Sequence, residues 1–428
     1  MSESVSQTLD TLGELGTVGE MWDAACAGKA PASRPRVNAH VHLPPNFSAF
    51  SSVEQAVGLA AEQGVGVLGA SNYYDFDVYG PFGRLTREKG IFPLFGIEGI
   101  ALIPDLRDRG VRINDPGNPG KIYVCGKGIA RFARPSEAAA NLLGEIRAND
   151  DRRMAEMARR VGGRFAAAGI GGDLAAEALA DQVASSAGAR RESVTLQERH
   201  LARGFQEEFF RQVPLEKRPE LLERLFGKAS AAGGDDAVKL QGEIRSNLMK
   251  AGKPAFVDET FLEFPRVRQL ILELGGIPCY PTLADGADPI CQFETPVDAL
   301  VDHIRELGLA MAELIPLRNE PPVLREYATA LRGAGLPVVA GTEHNTLDLS
   351  PLQPQCQGGV EIDDDLKDLF WEGACVVAAH QFLVLHGECG FVDAAGEPNG
   401  EYADPDARIE AFASLGAAVI ETYYQKHA

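Results

Sequence analysis

The stretch RVNAHVHLPPNFSAF, residues 36–50, places two histidines at the end of a short apolar run. His40 and His42 are separated by one residue, and the period of two along a β-strand puts both imidazole rings on the same face. Two neutral imidazoles on one face can chelate Zn²⁺, Mn²⁺ or Fe²⁺. Two histidines that cap a strand end through hydrogen bonds to nearby loops would give the same pattern, so the pair alone leaves metal binding open.

Strand and helix patterns alternate along much of the chain. Amphipathic segments such as SVEQAVGLAAEQG at 52–64 and PVDALVDHIRELG at 296–308 are typical of helices, and apolar runs typical of strands lie between them. This alternation favours parallel strands joined by crossover helices. We count seven strands, in the segments RVNAHVHL, VGVLGASNY, GIFPLFGIEGIAL, KIYVCGKGI, IPCYPTL, LAMAELIPL and LPVVAGTEHNT.

Polar side chains recur at the C-terminal ends of these predicted strands. In a (β/α) barrel those ends converge on one face, where active sites lie. Glu98 comes directly after an apolar run, and Glu343 repeats the arrangement on a later strand, where a carboxylate is costly to bury unless it is paired or binds a metal. A salt bridge to a neighbour would also explain either acid. Together with the histidines they predict a divalent metal site. The residues at these strand ends are His40, His42, Asn72, Glu98, Tyr280, Asn319 and Glu343.

The alternation breaks over residues 136–253, which are rich in Ala, Arg and Glu and show no strand pattern. Long helical stretches fill this region, and GAR and AAGGDDA look like its internal turns. We therefore expect an α/β barrel with a large helical insertion. The predicted order is an N-terminal helical extension (1–35), the first part of the barrel (36–135), the insertion as a lid or substrate domain (136–253), and the second part of the barrel with C-terminal helices (254–428).

Composition narrows the class of partners. The 428 residues carry a formal charge of −20, and such a surface repels nucleic acid and anionic lipid. The seven cysteines are scattered and form no CxxC pair, which is typical of free thiols in a reducing compartment. The polar N-terminus shows no signal peptide, and no stretch approaches the apolar length of a membrane span. We expect a cytoplasmic protein with a small anionic substrate, no nucleic acid or membrane partner, and a homo-oligomeric state left open.

A family resemblance follows from the order of the short motifs. The chain resembles the PHP (polymerase and histidinol phosphatase) superfamily over residues 36–130 and 255–350. The resemblance implies a distorted seven-stranded (β/α) barrel, a site for up to three metal ions, and phosphoester hydrolysis. The motifs that carry it, in order, are NAHVHL, GVGVLGASNYY, FGIEGI, KIYVCGKGI, GGIPCYP, AELIPLRN and LPVVAGTEHN.

The resemblance also implies a ligand set for one metal. It falls on His40 and His42 in the first motif, on Glu98 as the bridging glutamate, and on Glu343 in place of the aspartate of the late motif. Because the pattern is incomplete elsewhere, we expect one or two ions of Zn, Mn or Fe per chain rather than three.

The departures concern the ligands of the other ions. The TDH motif of the family reads SNY here, so that Asn72 and Tyr73 replace an aspartate and a histidine. The family's His-Pro pair is Tyr280-Pro281, and His344 lies one residue before the position of the family's last histidine, where Asn345 stands. Tyr and Asn are poor ligands for Zn²⁺ or Mn²⁺. Asp75, Asp77 and His344 are the residues that could substitute for the missing ligands.

Basic residues predict where an anionic substrate binds. In the insertion, ARRESVTLQERHLARGF places Arg199 and His200 on a helix, and the resemblance implies a lid helix that meets the substrate phosphate. Arg suits bidentate recognition of phosphate or carboxylate, whereas a solvated basic helix face is the alternative. Arg318 and Lys127 lie at strand ends and are weaker candidates for anion contacts.

Three functional hypotheses follow. The first is a metal-dependent hydrolase of the PHP type, a phosphoesterase that acts on a small phosphorylated metabolite, with Tyr73, Tyr280 and His344 as catalytic candidates. The second is a metal-dependent isomerase or lyase on a sugar or sugar acid, in which a tyrosine shuttles a proton. The third is an inactive barrel that binds a metabolite. His380 and His386 have apolar neighbours and are interpreted as packed histidines.

Overall fold

The computed structural model describes residues 5–171 and 174–427. The chain divides into two compact units. The first comprises the described parts of Met1–Leu43 and Leu262–Ala428 together with Ala49–Leu143, and the second comprises Pro44–Ser48 and the described part of Gly144–Phe261.

One sheet lies in the first unit, and each of the seven strands predicted from the sequence is present in it. Its order is β1-β2-β3-β4-β6-β7-β8, and the short strand β5 pairs with β3. The strands are β1 (Arg36–Val41), β2 (Val65–Ala70), β3 (Phe92–Leu102), β4 (Lys121–Lys127), β5 (Leu262–Glu263), β6 (Ile277–Thr282), β7 (Met311–Leu314) and β8 (Val338–Ala340).

The expectation of parallel strands fails at β4, which is antiparallel to both of its neighbours. The connection from β3 to β4 contains only a helix of five residues, Pro104–Asp108. A parallel return usually contains a full helix that packs on the sheet, and this connection has none. The remaining neighbours along the sheet are parallel, as the alternating pattern predicts.

Backbone hydrogen bonds join the last strand to the first. The amides of Thr342 and Glu343 both donate to the His40 carbonyl, at 3.1 and 2.9 Å, and the His42 amide donates to the Glu343 carbonyl at 2.7 Å. The sheet is therefore nearly closed and barrel-shaped. The α/β prediction of a distorted (β/α) TIM-like barrel with a helical insertion is confirmed.

The described residues contain fifteen α-helices. They are α1 (Val5–Gly13), α2 (Val18–Cys26), α3 (Val53–Glu62), α4 (Tyr79–Glu88), α5 (Pro104–Asp108), α6 (Glu137–Ala167), α7 (Ala176–Ala187), α8 (Glu198–Gln212), α9 (Arg218–Phe226), α10 (Ala237–Ile244), α11 (Phe264–Glu273), α12 (Val297–Glu306), α13 (Pro321–Gly333), α14 (Asp364–Leu385) and α15 (Pro405–His427).

The second unit is helical, and its residues 144–171 and 174–261 contain no strand. Its core is built from large side chains such as Phe165 and Phe205, whose ring centroids lie 5.0 Å apart. Ion pairs also connect its segments, because Glu198 accepts hydrogen bonds from Arg153 at 2.6 Å and from the half-exposed Lys250 at 2.9 Å. The unit therefore has a core of its own.

Helix α14 departs from the expectation that no stretch is long and apolar enough to cross a membrane. By length and composition it passes that test, and it is the one helix of the described residues that does. Its most apolar window is 67% buried inside the protein, against α15 and the sheet. Two glycines allow this close packing: a β-carbon on Gly373 would lie 2.1 Å from the Val338 carbonyl oxygen, and one on Gly416 would lie 1.8 Å from that of Cys375.

We predict that Gly416→Ala destabilises the protein, because the added methyl group overlaps the Cys375 backbone and two packed helices must move apart. The free energy of unfolding should fall by about 1–3 kcal/mol or more, measured by urea denaturation. Gly58→Ala is the matched control, since a β-carbon at this helical position meets no neighbouring atom within 4 Å. It should leave stability unchanged or raise it by up to about 1 kcal/mol. Equal effects of the two substitutions would contradict the packing argument.

Candidate metal centre

Three side chains meet inside the barrel where β1 ends and β3 passes. His42 Nε2 lies 2.8 Å from Glu98 Oε2, His40 Nε2 lies 3.4 Å from the same oxygen, and the two imidazole nitrogens are 3.3 Å apart. All three residues are at most 4% exposed. The period of two along β1 places both rings on its inner face, as predicted, and the barrel brings β3 to the same place.

The spacing of these three atoms suits one metal ion. Ligands at about 2.0–2.1 Å from an ion in tetrahedral geometry are about 3.3 Å from one another. The three measured separations of 2.8, 3.3 and 3.4 Å fall around that value. Two imidazole nitrogens and one carboxylate oxygen form a donor set that Zn²⁺, Mn²⁺ and Fe²⁺ accept. The residues present therefore fit a divalent ion.

A second carboxylate holds the far side of the His40 ring. Glu313 on β7 accepts from His40 Nδ1 at 2.9 Å and from the Lys127 ammonium at 2.7 Å. Glu313 and Lys127 are fully buried. Burial opposes ionisation of Glu313, but the Lys127 and His40 charges outweigh it and lower the pKa of Glu313 to about 2. The Lys127 pKa is raised, because Glu313 outweighs the effect of burial there as well.

The same balance of burial against charge governs the ionisation of His40 and Glu98. Burial disfavours the protonated form of His40, yet the Glu313 carboxylate raises the pKa of His40 to about 9. Burial also opposes the ionisation of Glu98, but hydrogen bonds and charge from the two histidines hold its pKa well below the usual range. Without a metal, the raised pKa of His40 favours a protonated ring, which compensates the buried carboxylates beside it.

The cysteine-containing alternative does not suit a metal. His40, Cys125 and Glu313 also place one ligand atom each close together. Burial raises the pKa of the Cys125 thiol well above its ordinary value, and the nearby charge of Glu313 raises it further. The Lys127 ammonium already occupies the other oxygen of Glu313. A cation bound there would face both a protonated thiol and a second positive charge.

Tyr73 joins the cluster. Its ring stacks on His42, with centroids 5.1 Å apart and planes 10° apart, and its hydroxyl forms a hydrogen bond with Glu98. Burial and the Glu98 charge raise the pKa of Tyr73 well above its ordinary value. The phenol therefore keeps its proton and donates it to the carboxylate as a hydrogen bond.

The structure does not bring the Glu343 carboxylate to the histidines. The Arg318 guanidinium holds both of its oxygens, one at 3.0 Å, and Asn345 donates to it at 2.7 Å. Glu343 and His344 both adopt left-handed backbone conformations, with φ of 56° and 55°. This turn directs the Glu343 side chain to Arg318, so Glu343 does not share the close ligand triangle predicted for it.

His344 also lies apart from the triangle. Its Nδ1 hydrogen-bonds with the Thr342 hydroxyl at 2.8 Å, its Nε2 with the Ser350 carbonyl at 2.9 Å, and its ring stacks on Phe50. Both ring nitrogens are thus engaged in the loop. Asp75, the other predicted substitute, accepts from the Asp77 amide at 3.0 Å, and neither aspartate belongs to a metal-competent group of the described residues.

Tyr280 faces away from the cluster. Its hydroxyl donates to Glu294 at 2.9 Å, and its ring stacks on Phe293. The preceding residue on β6, Cys279, is the one whose thiol lies near the charges of Glu313 and Lys127. Since neighbours on a strand point to opposite faces, the predicted tyrosine belongs to the outer layer between sheet and helices.

The other predicted substrate contacts fall into different environments. Arg318 is 39% exposed at its side chain and pairs with Glu343, whereas Lys127 is buried against Glu313. Arg199 and His200 belong to the second unit. There the Arg199 guanidinium lies 5.6 Å from the Phe47 ring centroid, and His200 is buried, which lowers its pKa to about 3.

Sequence reasoning missed Glu313, although a signal was present. The segment LAMAELIPL carries a single acid in the middle of an apolar strand, which is the same feature that drew attention to Glu98. Polar residues at strand ends do not include it, because Glu313 lies one residue before the end of β7. Asn72, by contrast, was noted and has a structural partner: its amide group exchanges two 2.8 Å hydrogen bonds with the Leu43 backbone.

Comparison with known proteins adds information on the fold. The chain matches no protein-family model and no curated protein. A solved structure from Bifidobacterium adolescentis, provisionally described as a metal-dependent phosphoesterase, is 14% identical, with a TM-score of 0.51 over 78% of this chain and 96% of the other. An amidohydrolase from Chromobacterium violaceum, solved with sulfate and no metal, is 17% identical, with a TM-score of 0.49 over 75% and 93%. The match to the Bifidobacterium adolescentis structure shows a similar fold, and the PHP resemblance stays a prediction.

Glu294 provides a test of the outer layer around Tyr280. Burial raises its pKa to about 7, although Tyr280 and the Leu283 and Ala284 amides donate to it. Because this pKa lies above that of the unfolded chain, its stabilising contribution is lost as the pH rises from about 4.5 through 7. We predict that wild type loses stability relative to Glu294→Gln between pH 5 and 8, on the order of 3 kcal/mol, in urea denaturation at each pH.

The matched control is Glu306→Gln, at an exposed position on α12. Its stability difference from wild type should stay constant over the same pH range. A Glu294→Gln difference that is equally flat would contradict a buried carboxyl with a raised pKa.

Proposed function

We propose that the chain is a metal-dependent hydrolase that acts on a small phosphorylated metabolite. The observation that carries the proposal is the buried triangle of His40, His42 and Glu98, whose spacing and donor types suit one divalent ion. A bound ion would supply Lewis acidity to a phosphoryl oxygen and hydroxide near neutral pH. The similar fold of the protein provisionally described as a phosphoesterase supports the same reaction class.

One ion is the number that the charges favour. Glu313 would be the natural ligand for a neighbouring ion, but the Lys127 ammonium lies 2.7 Å from it. Glu343 is occupied by Arg318 and Asn345. Of the glutamates around the cluster, only Glu98 is then available to a metal together with both histidines. We therefore propose a mononuclear centre of Zn, Mn or Fe.

Tyr73 and Arg318 have distinct proposed roles. Tyr73 donates to Glu98 and stacks on His42, so it orients two of the three ligands and closes one side of the site. Arg318 uses two of its N–H groups on Glu343, and a guanidinium carries five donors, so donors remain for a substrate phosphate. In the reaction water attacks phosphorus, the ester P–O bond breaks, and the leaving alcohol takes a proton.

The isomerase or lyase hypothesis has less support in the geometry. It needs a tyrosine that exchanges its proton with a substrate near neutral pH. The pKa of Tyr73 is raised well above the ordinary value by burial and Glu98, and the Tyr280 hydroxyl is bonded to Glu294 outside the cluster. Both observations count against a tyrosine as the group that transfers a proton.

We predict that protein purified without chelator carries about one equivalent of Zn, Mn or Fe by elemental mass spectrometry. His42→Ala removes one of the three ligands and should reduce the content to a small fraction of that value. His386→Ala, at a histidine just beyond α14 whose Nδ1 lies 2.9 Å from the Phe382 carbonyl oxygen, should retain the metal. Absence of metal from wild type after reconstitution would contradict the hydrolase proposal and favour an inactive metabolite-binding barrel.

We predict that Arg318→Lys raises KM for phosphoesters about tenfold or more, because lysine cannot make a bidentate contact. The metal content should not change, since Arg318 is not a ligand. The comparison is Arg325→Lys, at an exposed arginine that pairs with Asp363 and Asp365. The substrate profile comes from a screen of small phosphate esters, and an unchanged KM in Arg318→Lys would contradict the phosphate-binding role.

A further inference from the structure

A chain of buried contacts leads from a lysine to the metal-facing side of His40. Lys127 Nζ lies 2.7 Å from Glu313 Oε1, and Glu313 Oε2 lies 2.9 Å from His40 Nδ1. On the opposite side of the ring, His40 Nε2 faces Glu98 and His42. The two nitrogens of one imidazole therefore meet two different environments.

Stability alone does not account for the Lys127–Glu313 pair. Both side chains are almost completely buried, at 2% and 0% exposure. The desolvation penalty of such a pair is several kcal/mol per ion, and well-packed apolar residues of similar volume are often as stabilising or more so. A pair of this kind at the centre of a barrel calls for a role that apolar side chains cannot perform.

The chemistry of imidazole supplies that role. A neutral imidazole has one N–H group and one nitrogen lone pair, and a carboxylate only accepts hydrogen bonds. In the neutral form that a metal requires, Glu313 therefore holds the proton on Nδ1 and leaves the lone pair on Nε2, the nitrogen that faces Glu98 and His42. Gly341 makes the contact possible, because a β-carbon there would lie 2.4 Å from His40 Cβ and 3.1 Å from Glu313 Oε1.

We propose that Glu313, itself held by Lys127, is a positioning residue that fixes the tautomer and orientation of His40 for metal binding. The inference rests on the proposed metal-dependent function and adds two residues to it. Lys127 has a second part in the arrangement, since its ammonium also lies 3.3 Å from the Ala39 carbonyl oxygen and 3.4 Å from the Ser71 hydroxyl. Lys127 is then a structural cation and not a contact for the substrate anion.

The substitution Glu313→Gln tests the tautomer directly. Lys127 only donates hydrogen bonds, so it turns the amide oxygen of the new glutamine towards itself. The amide NH₂ group then faces His40 Nδ1 and donates to it, which moves the imidazole proton to Nε2, the atom that must bind the metal. Zn²⁺ affinity should fall 10- to 100-fold.

The pair Lys127→Met with Glu313→Gln reverses this constraint. Without the ammonium, the amide is free to rotate and to present its oxygen to Nδ1–H, so Zn²⁺ should bind more tightly than to Glu313→Gln alone. A merely structural role also predicts recovery in the double variant, because Glu313→Gln alone leaves the buried Lys127 charge unpaired. The position of the His40 proton, read from spectra of the metal-free variants, separates the two roles.

The measurements are Zn²⁺ titration against a competing chelator, and ¹⁵N–¹H correlation spectra of histidine-labelled protein. The zinc-loaded wild type should show the His40 proton on Nδ1, and metal-free Glu313→Gln should show it on Nε2. Circular dichroism checks that each variant is folded.

The outcomes separate this inference from the proposed function. If wild type binds none of Zn²⁺, Mn²⁺ and Fe²⁺, the metal-dependent function fails and the inference fails with it. If wild type binds Zn²⁺, His42→Ala does not, and Glu313→Gln binds as tightly as wild type, the inference is overturned and the proposed function stands. If Glu313→Gln does not fold, Lys127→Met with Glu313→Leu leaves no unpaired charge, and wild-type Zn²⁺ affinity in that variant overturns the inference.

Discussion

The interior of the barrel depends on the backbone contact between the end of β1 and the residues that follow β8. The Thr342 and Glu343 amides both donate to the His40 carbonyl. This contact nearly closes the sheet and fixes the strand end that carries both histidines. Gly341 lies at the same junction and leaves the space in which Glu313 reaches the His40 ring. Closure and the candidate metal centre are thus two consequences of one local arrangement.

Charge balance is the second constraint on this interior. Glu98 and Glu313 are two buried glutamates that both contact His40. Each carboxylate also has a second partner, which is His42 for Glu98 and the Lys127 ammonium for Glu313. An unpaired carboxylate there would cost on the order of several kcal/mol, which is a large part of the stability of a domain. The two acids therefore have different surroundings. Glu98 faces the Nε2 atoms of the two histidines, where an ion fits, whereas Glu313 binds the Lys127 ammonium and Nδ1 of His40.

The alternation of apolar runs and amphipathic segments predicted the barrel, because strand and helix patterns depend on residues close together in the sequence. Each strand needed only its own run of apolar residues to be recognised, and all seven predicted strands are present. The direction of β4 could not be recognised in this way, since it depends on whether the preceding connection can cross the sheet. Periodicity also could not show which side chains of a fully buried strand point into the barrel. IPCYPTL is apolar on both sides, and the neighbouring strands decided that Cys279 faces inwards and Tyr280 outwards.

The sequence by itself determined that His40 and His42 share one face of a strand, and that Glu98 lies within an apolar strand where a carboxylate requires partners. Those statements follow from the geometry of a single strand and the cost of burying charge. Only the tertiary structure decided which partners each group has: Glu98 for the two histidines, Glu313 and Lys127 for His40, and Arg318 rather than the histidines for Glu343. These pairings join residues up to 273 positions apart. Closure of the sheet brings them together, and no single segment of the sequence contains the information for that closure.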